Sequence, residues 1–309
     1  MAADQDWTFG GLWPYEPHWF DTADGRMHYV DVGPRGGRPV VLLHGNPTWG
    51  FLYRNFIPAL TDAGYRAIVP DCLGFGRSDK PTDRRVYAVT KHAGRMEALL
   101  ESLDLRDATV VPQDWGGPIG LAWAVRHPQR IAGLFIMNTA AHSLVNEFRV
   151  PFALRLFRAP VVGEVLVKGL NLFHHGFLFR AGLAQPHRMT PQIKRAYLAP
   201  HPTWSSRTGV LQFPREIPTR PTDPWQPFGQ YLEDGLAQHF RSHPVKIVWA
   251  MKDVSFREDT LEGMWLRSFP NATVVKIAEA GHYLQEDAFE RVVHELLTFL
   301  DSQPRRATT

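Results

Sequence analysis

The sequence predicts an α/β protein whose mostly parallel sheet is interrupted by a helical insertion. Short β-rich runs alternate with longer helical runs through the first third of the chain, as they do in βαβ units. After Asn138 this rhythm gives way to aromatic-rich helical segments, and strand character returns only at Val245. A chain of 309 residues is long enough for one large domain or for a core with an inserted lobe.

The elements of the first part of the core can be assigned in order. Strands are predicted at 27–32, 40–43, 66–70, 108–111 and 131–137, and helices at 52–63, at 91–103 and after Gly117. The helix at 91–103 follows from Met96, Leu99, Leu100 and Leu103, whose spacing places them on one helical face. Pro118 suits the first turn of the next helix, because the N–H that proline lacks is not used there.

The insertion is predicted to be a helical cap at residues 139–227, inserted after the sixth core strand, so that the core consists of 1–138 and 228–309. Helical segments are expected at 148–157 and 161–179. Five prolines between 214 and 227 predict a poor helix and a hinge back to the core. The core then resumes with strands at 245–250 and 272–277 and a closing helix at 288–300.

Composition argues against several classes of function. The 34 Lys and Arg nearly balance the 31 Asp and Glu, and without a basic stripe we expect no nucleic-acid partner. Cys72 is the only cysteine and no Cys/His spacing resembles a zinc site, so neither an internal disulfide nor a metal is expected. We find no signal-peptide pattern and no apolar run near the ~18 residues needed to span a bilayer. We therefore expect a soluble, cytoplasmic protein without a membrane partner.

The sharpest local signal is the segment VVPQDWGG at 110–117, which follows a predicted strand. A tight strand-to-helix turn pushes one side chain out over the carboxyl edge of a sheet, and here that side chain is Asp114. A carboxylate at the position of the usual serine can displace a leaving group from saturated carbon and form an alkyl ester. An aspartate that merely caps the next helix would give the same pattern. Pro112 lacks a ladder donor, so strand pairing is expected to end there.

Two further signals follow later strands. Asp253 comes directly after the strand at 245–250, and His282 lies in the loop after the strand at 272–277. A histidine there can act as a general base, and an acid can orient and stabilise its imidazole. A turn aspartate and a solvated histidine are the common alternatives. The order Asp114, Asp253, His282 is the nucleophile, acid, histidine order of α/β-hydrolases, so one catalytic triad explains three signals together.

A fourth signal is the segment HGNP at 44–47, after the strand at 40–43. The backbone N–H groups of Asn46 and Trp115 are candidate oxyanion-hole donors. The carboxamide and indole side chains of the same two residues also donate hydrogen bonds, and beside a carboxylate they suit a small leaving anion. A turn asparagine and a packing tryptophan are the alternative interpretations.

These stretches together resemble the haloalkane dehalogenases of the α/β-hydrolase fold. The matching segments are HGNPTWGFLYR (44–54), PDCLGFGRSDKP (70–81), QDWGG (113–117), IMN (136–138), MKD (251–253) and AGHYLQED (280–287). The resemblance implies that Asp114 displaces halide from a small haloalkane while Asn46 and Trp115 hold the departing halide. It also implies that His282, paired with Asp253, activates water to release the alcohol, with no cofactor and no metal. Asn46 and Asn138 favour the third subfamily, whose members tend to form oligomers, which allows a homo-oligomer.

Three other functions stay open at this point. An epoxide hydrolase shares the triad but needs ring-oxygen activation, which the resemblance assigns to two cap tyrosines, and Tyr197 and Tyr231 are the candidates. A luciferase-like oxygenase without a cofactor and a ligand-binding protein without turnover are the others. Trp49 and Trp249 are expected to pack beside the site. Aromatic residues of the insertion are candidate pocket walls: Phe148, Phe152, Phe157, Phe173, Phe177, Phe179 and Trp204.

Overall fold

A computed structural model describes residues 5–143, 150, 152–220 and 222–304, and its centre is an eight-stranded sheet. The strands are β1 (His18–Thr22), β2 (Gly25–Val32), β3 (Pro39–Leu43), β4 (Arg66–Pro70), β5 (Ala108–Pro112), β6 (Ile131–Met137), β7 (Val245–Ala250) and β8 (Thr273–Ile277). Their order in the sheet is β1-β2-β4-β3-β5-β6-β7-β8. The pairs β1–β2 and β2–β4 are antiparallel, and the other neighbouring pairs are parallel.

Helices follow most strands, and the described part of the segment between β6 and β7 contains helices and loops but no strand. The α-helices are α1 (Ile57–Asp62), α2 (Val89–Ser102), α3 (Gly116–Arg126), α4 (Phe152–Arg158), α5 (Pro191–Leu198), α6 (Thr208–Glu216), α7 (Trp225–His239), α8 (Glu258–Thr260), α9 (Leu266–Ser268), α10 (Leu284–Asp287) and α11 (Phe289–Ser302). Helical stretches with π-type hydrogen bonds are Glu164–Gly169, Phe173–Ala181 and Leu261–Trp265. Short 3-10 helices are Gly50–Tyr53, Arg84–Tyr87, Pro128–Arg130, Pro186–Arg188 and Ser205–Arg207.

Two hydrophobic cores lie on opposite faces of the sheet. Along β3, Val41 and Leu43 belong to one core and Val40 and Leu42 to the other, because successive side chains of a strand point to opposite faces. All seven residues of β6 are buried, the pattern of a parallel strand that is covered on both sides. Among the described residues, no helix has both the length and the apolar character needed to cross a membrane.

Most predicted elements are confirmed, and β4 and β6 have the predicted bounds. The sequence missed β1, and the helix predicted at 52–63 is a 3-10 turn followed by α1. The prediction of a poor helix between Pro214 and Pro227 is wrong at both ends, because Pro214 lies inside the last turn of α6 and Pro227 lies inside the first turn of α7. Part of the helix predicted at 148–157 lies outside the described residues, and the described part begins at Phe152. The predicted boundary at 227/228 falls within α7, and the division into core and cap stays a prediction.

A buried ion pair joins the segment after β3 to helix α10, which follows β8. The Arg54 guanidinium donates hydrogen bonds of 2.5 and 2.6 Å to the Glu286 carboxylate, and the Tyr197 hydroxyl donates to the same carboxylate. Burial by itself lowers the pKa of Arg54, but the adjacent carboxylate outweighs this effect and raises it. The pair therefore fixes two segments of the chain that lie near Asn46 and His282 in the sequence.

Loss of this carboxylate should cost much more than loss of a surface carboxylate. We expect Glu286→Ala to lower the free energy of unfolding by about 3–5 kcal/mol, because the charge of the buried Arg54 guanidinium would lose its carboxylate partner. The control is Glu290→Ala, which breaks the pair between Arg188 and a carboxylate that is 58% exposed. That change should cost about 1 kcal/mol or less. Urea unfolding of both variants measures the difference, and equal losses would contradict the prediction.

Candidate active site

Asp114 occupies the sharp turn between β5 and α3. Its φ of +51° lies in the left-handed region, which is unfavourable for a residue with a Cβ atom and is typical of a strained nucleophile elbow. The turn requires small residues next to it: a Cβ atom on Gly116 would lie 2.2 Å from the Leu43 carbonyl oxygen. The Asp114 carboxylate therefore stands at the carboxyl edge of the sheet, where it lines a cavity.

Pro112 interrupts the strand ladder on one side only. On the β3 side it pairs with Leu43, and the Gln113 N–H donates to the Leu43 carbonyl at 3.1 Å. On the β6 side the pairing is interrupted beside the proline and resumes where the Asp114 N–H donates to the Asn138 carbonyl. The prediction that pairing ends at Pro112 is thus wrong for β3, and this ladder anchors the elbow.

The His282 ring lies between two carboxylates. Its Nδ1 is 2.8 Å from Asp253 Oδ2, and its Nε2 is 3.5 Å from Asp114 Oδ2. Burial by itself lowers the pKa of His282, but the nearby carboxylates, Asp253 foremost, raise it to about 10. The structure thus brings Asp114 together with two residues more than a hundred positions later in the sequence, in the arrangement of a nucleophile, a base and an orienting acid.

Asn138 holds the Asp253 carboxylate, a role that the sequence did not indicate. Its Nδ2 donates to Asp253 Oδ2 at 2.9 Å, and its Oδ1 accepts from the Ala250 N–H at 2.7 Å. The Ser255 N–H donates to the other carboxylate oxygen at 2.7 Å. Both oxygens are therefore fixed by donors, which keeps Asp253 directed at the imidazole.

Gln113 contacts the same imidazole beside Asp114. Its Nε2 lies 3.2 Å from His282 Nε2 and also donates to the His282 carbonyl at 3.1 Å. A carboxamide NH₂ can only donate, so this contact favours the neutral ring, in which Nε2 accepts. The Asp114 carboxylate favours the protonated ring instead. The charge on His282 therefore depends on whether Asp114 carries its own charge.

Asn46 and Trp115 line the cavity beside Asp114. The Asn46 N–H donates to Asp114 Oδ1 at 2.7 Å, and its Nδ2 donates to the Val210 carbonyl in α6 at 3.1 Å. That carbonyl lacks its usual helical donor, because the residue four positions later is Pro214, which has no N–H. Helix α6 thus orients the Asn46 carboxamide, whose NH₂ group has a second hydrogen for a ligand.

The cavity is a largely apolar space next to the triad. The Trp115 ring stacks on Phe213 with ring centroids 4.9 Å apart, which fixes the indole. The lining residues are Asn46, Asp114, Trp115, Pro118, Ala140, Leu154, Phe173, Phe177, Pro214, Ile217, Pro218, Trp225, Ser255, Phe256 and His282. An apolar space around one carboxylate and a few donors suits a small neutral ligand.

The aromatic candidates for the cavity wall divide into several groups. Phe173 and Phe177 line the cavity. Phe157 and Phe179 are buried in the two cores, whereas Phe152 and Trp204 are exposed on the surface. Trp49 and Trp249, which were expected to have packing roles, are also buried in the cores. Phe148 lies outside the described residues. Sequence reasoning did not assign Pro214 and Pro218 to the cavity, although their position in a proline run beside the aromatic segment was a usable signal.

Neither candidate tyrosine is placed to act in the cavity. The Tyr197 hydroxyl donates to Glu286, and Tyr231 lies on the surface near Arg126. No tyrosine is found among the described residues that line the cavity. Within the same described ranges, no cluster of three His, Cys, Asp or Glu side chains could hold a metal ion.

Known proteins resemble this chain over nearly its whole length. Residues 38–289 match the family with the alpha/beta hydrolase fold. The chain is 36% identical to the cis-3-alkyl-4-alkyloxetan-2-one decarboxylase of Shewanella oneidensis, over 96% of this chain and 92% of that protein. It is 33% identical to the haloalkane dehalogenase of Psychrobacter cryohalolentis, over 94% of each chain. The tetrameric structure of the haloalkane dehalogenase DpaA from Paraglaciecola agarilytica is similar with a TM-score of 0.78 and 30% identity, over 93% of this chain and 94% of that chain.

The pH at which the His282 ring loses its proton should depend on the two neighbouring carboxylates, Asp114 and Asp253. We expect the wild-type ring to stay protonated until the pH approaches about 10. In Asp253→Asn the ring should lose its proton at a clearly lower pH, because burial then opposes the charge with less compensation. The ¹⁵N shifts of labelled histidine rings measure this, and loss of one signal in His282→Phe assigns it. Glu258→Gln, which changes a surface carboxylate, is the control, and equal titrations in the wild type and Asp253→Asn would refute the expectation.

Proposed function

The chain belongs to the α/β-hydrolase family and, within it, to the haloalkane dehalogenases and their relatives, and we propose that it hydrolyses the carbon–halogen bond of small haloalkanes to an alcohol and a halide. The observation that carries this proposal is the Asp114 carboxylate at the elbow of an apolar cavity, with the His282–Asp253 pair behind it. A carboxylate nucleophile suits displacement at saturated carbon. The reactants are a haloalkane and water, and the reaction needs no cofactor.

In the first step, an Asp114 oxygen attacks the carbon that bears the halogen. The new C–O bond forms as the C–X bond breaks, and the bonding electron pair leaves with the halide. The second Asn46 Nδ2 hydrogen and the Trp115 indole N–H bind the departing halide, because both are donors beside the carboxylate. The apolar walls strengthen these interactions by excluding water.

In the second step, His282 becomes a general base because the ester no longer carries the Asp114 charge. The Asp114 charge then no longer raises the pKa of His282, whereas burial still lowers it. The Gln113 donor also favours the neutral ring. Nε2 takes a proton from water as the water oxygen attacks the ester carbonyl. The backbone N–H groups of Asn46 and Trp115 stabilise the resulting oxyanion. Its collapse breaks the bond between the carbonyl carbon and the alkyl oxygen, and this oxygen takes the proton from His282 Nε2 and leaves as the alcohol. The new carboxyl group of Asp114 then loses its proton to solvent, which restores the carboxylate.

The epoxide hydrolase interpretation loses its main support, since Tyr197 and Tyr231 do not line the cavity. No observation favours an oxygenase or a ligand-binding protein over a hydrolase. The tetrameric relative supports the proposal that this chain forms a homo-oligomer. Its third-subfamily membership, its cytoplasmic location and its division into core and cap stay predictions.

A second candidate reaction is the decarboxylation of a 3,4-dialkyl oxetan-2-one. The observation that favours it is the similarity to the cis-3-alkyl-4-alkyloxetan-2-one decarboxylase, which is 36% identical over 96% of this chain. Attack of Asp114 on ring carbon C4 would break the C4–O bond, giving an alkyl ester and a free carboxylate. The C–C bond to that carboxylate then breaks to release CO₂, its electron pair forms the alkene, and the ester C–O bond breaks to restore Asp114. This route uses the same nucleophile but no water.

In the variant His282→Phe, Asp114 should be alkylated once, and turnover should then stop. Displacement uses only Asp114, whereas hydrolysis of the ester needs the imidazole base. With 1-bromobutane we expect about one bromide per site and a butyl group on the peptide that contains Asp114, measured by mass spectrometry. The control His294→Phe changes an exposed histidine on α11 and should keep full turnover. An unmodified peptide with no bromide released would refute the mechanism.

The same variant separates the two candidate reactions. With a cis-3,4-dialkyl oxetan-2-one, His282→Phe should continue to release CO₂ if the ring opens at C4, because no water has to be activated. Wild-type protein that releases CO₂ from the lactone but no halide from bromoalkanes would replace dehalogenation by the second candidate.

Halide binding should depend on Asn46 and, through Val210, on Pro214. A hydrogen bond to an ion contributes about 1.5–3 kcal/mol, so Asn46→Ala should weaken bromide binding by about tenfold to a hundredfold. Pro214→Ala restores the N–H that competes for the Val210 carbonyl and should weaken binding by a smaller factor. Quenching of Trp115 fluorescence measures bromide binding. Pro218→Ala removes another cavity proline but leaves the carbonyl free, so it should bind normally, and a loss as large as that of Pro214→Ala would contradict this role.

A further inference from the structure

The near-balanced charge of the whole chain hides a strong separation. Residues 139–227 contain 11 Lys and Arg but 4 Asp and Glu, a net charge of +7. The other residues contain 23 Lys and Arg and 27 Asp and Glu, a net charge of −4. The segment that covers the cavity is therefore strongly basic on an otherwise acidic protein.

The same segment holds most of the exposed apolar side chains. Of the ten large apolar side chains that are exposed among the described residues, seven lie there. Phe152 is 75% exposed and Val161 is 73% exposed, values that are unusual for such side chains. The seven exposed side chains are named the outer patch: Phe152, Leu156, Val161, Val162, Val165, Leu170 and Trp204.

The elements that carry the outer patch are neighbours in space. Helix α4 packs against the stretch Glu164–Gly169, which in turn packs against Ser205–Arg207. A Cβ atom on Gly169 would lie 3.3 Å from the Trp204 ring, and the Lys168 ammonium lies 5.2 Å from the centroid of that ring. The outer patch is thus one surface rather than a set of scattered residues.

Few acids lie beside the outer patch, although Asp223 acts on Arg158 at the end of α4. Between 152 and 170 the only acidic residue is Glu164, and it is already paired with Arg84, Lys168 and Arg215. On α4 itself, Arg155 lies between the exposed Phe152 and Leu156. Exposed apolar side chains, a tryptophan and lysine or arginine beside them form the combination that binds at the interface of an anionic bilayer.

We propose that the outer patch docks on an anionic lipid surface. Contact of the patch with the same patch of a second copy is disfavoured, because it would bring two +7 segments together. Helix α4 links the docking surface to the cavity, since Leu154 lines the cavity while Phe152 and Leu156 face outward. An apolar substrate dissolved in the bilayer would then enter next to α4. This uptake step rests on the proposed function, whereas docking does not.

Sedimentation with vesicles tests docking without any substrate. We expect the protein to bind vesicles of phosphatidylcholine with phosphatidylglycerol more tightly than phosphatidylcholine alone, and salt should weaken this binding. Each surface arginine adds about 1 kcal/mol of attraction, so Arg155→Glu should weaken binding by about fivefold or more. Val161→Asp should also weaken it. Arg106→Glu and Trp19→Asp change an exposed arginine and an exposed tryptophan outside the segment and should bind normally.

Each other outcome overturns docking. One is vesicle binding without a preference for anionic lipid, and another is an equal loss of vesicle binding in the patch and control variants. The third is no vesicle binding together with a change of oligomeric state in Val161→Asp, which would assign the patch to contact with a second copy. Turnover tests uptake separately: Arg155→Glu should turn over 1-bromobutane in water normally but lose activity on a long-chain bromoalkane held in anionic vesicles. Vesicle binding without any turnover would refute the proposed function and leave docking intact.

Discussion

The proposed hydrolysis depends on the imidazole of His282, which is buried between the carboxylates of Asp114 and Asp253. With both carboxylates charged, the pKa of His282 is raised to about 10 even though burial lowers it, and the ring cannot act as a base near neutral pH. In the proposed mechanism, esterification of Asp114 removes one of these charges. Nucleophilic attack would then prepare the base for the next step, because the ester formed in the first step is the neutral neighbour that the base requires.

Much of the remaining structure serves to hold this ring and its partners in place. Asn138 and Ser255 fix Asp253, Gln113 reaches Nε2 beside the nucleophile, and the buried Arg54–Glu286 pair joins the loops on either side. These groups come from the carboxyl ends of β3, β5, β6 and β7 and from the loop after β8. The parallel sheet brings these ends to one edge, so residues far apart in the sequence meet without a long connection.

The sequence allowed the core and the triad to be predicted because both have local signals. Short β-rich runs located β4 and β6, and a strand end followed by Asp or His located Asp114, Asp253 and His282. The link from Asn46 to the Val210 carbonyl spans 164 positions and exists because Pro214 frees that carbonyl. Nothing near Asn46 in the sequence signals it. Phe152 and Phe173 likewise look alike in sequence, and only packing places one on the surface and the other in the cavity.

The two candidate reactions share the attack of Asp114 on saturated carbon and differ in how the alkyl ester is removed. After a halide has left the site, the alkyl ester can be removed from Asp114 only by hydrolysis. This hydrolysis needs the neutral imidazole of His282 as its base. An oxetan-2-one keeps its leaving carboxylate attached, so the ester can end by loss of CO₂ and the base is not required. Helix α6 orients the Asn46 donor toward an anion in both cases, and the apolar walls favour loss of CO₂ as well as displacement. The nucleophile and the cavity are therefore common to both reactions, and the dependence of ester removal on His282 is the property that separates them.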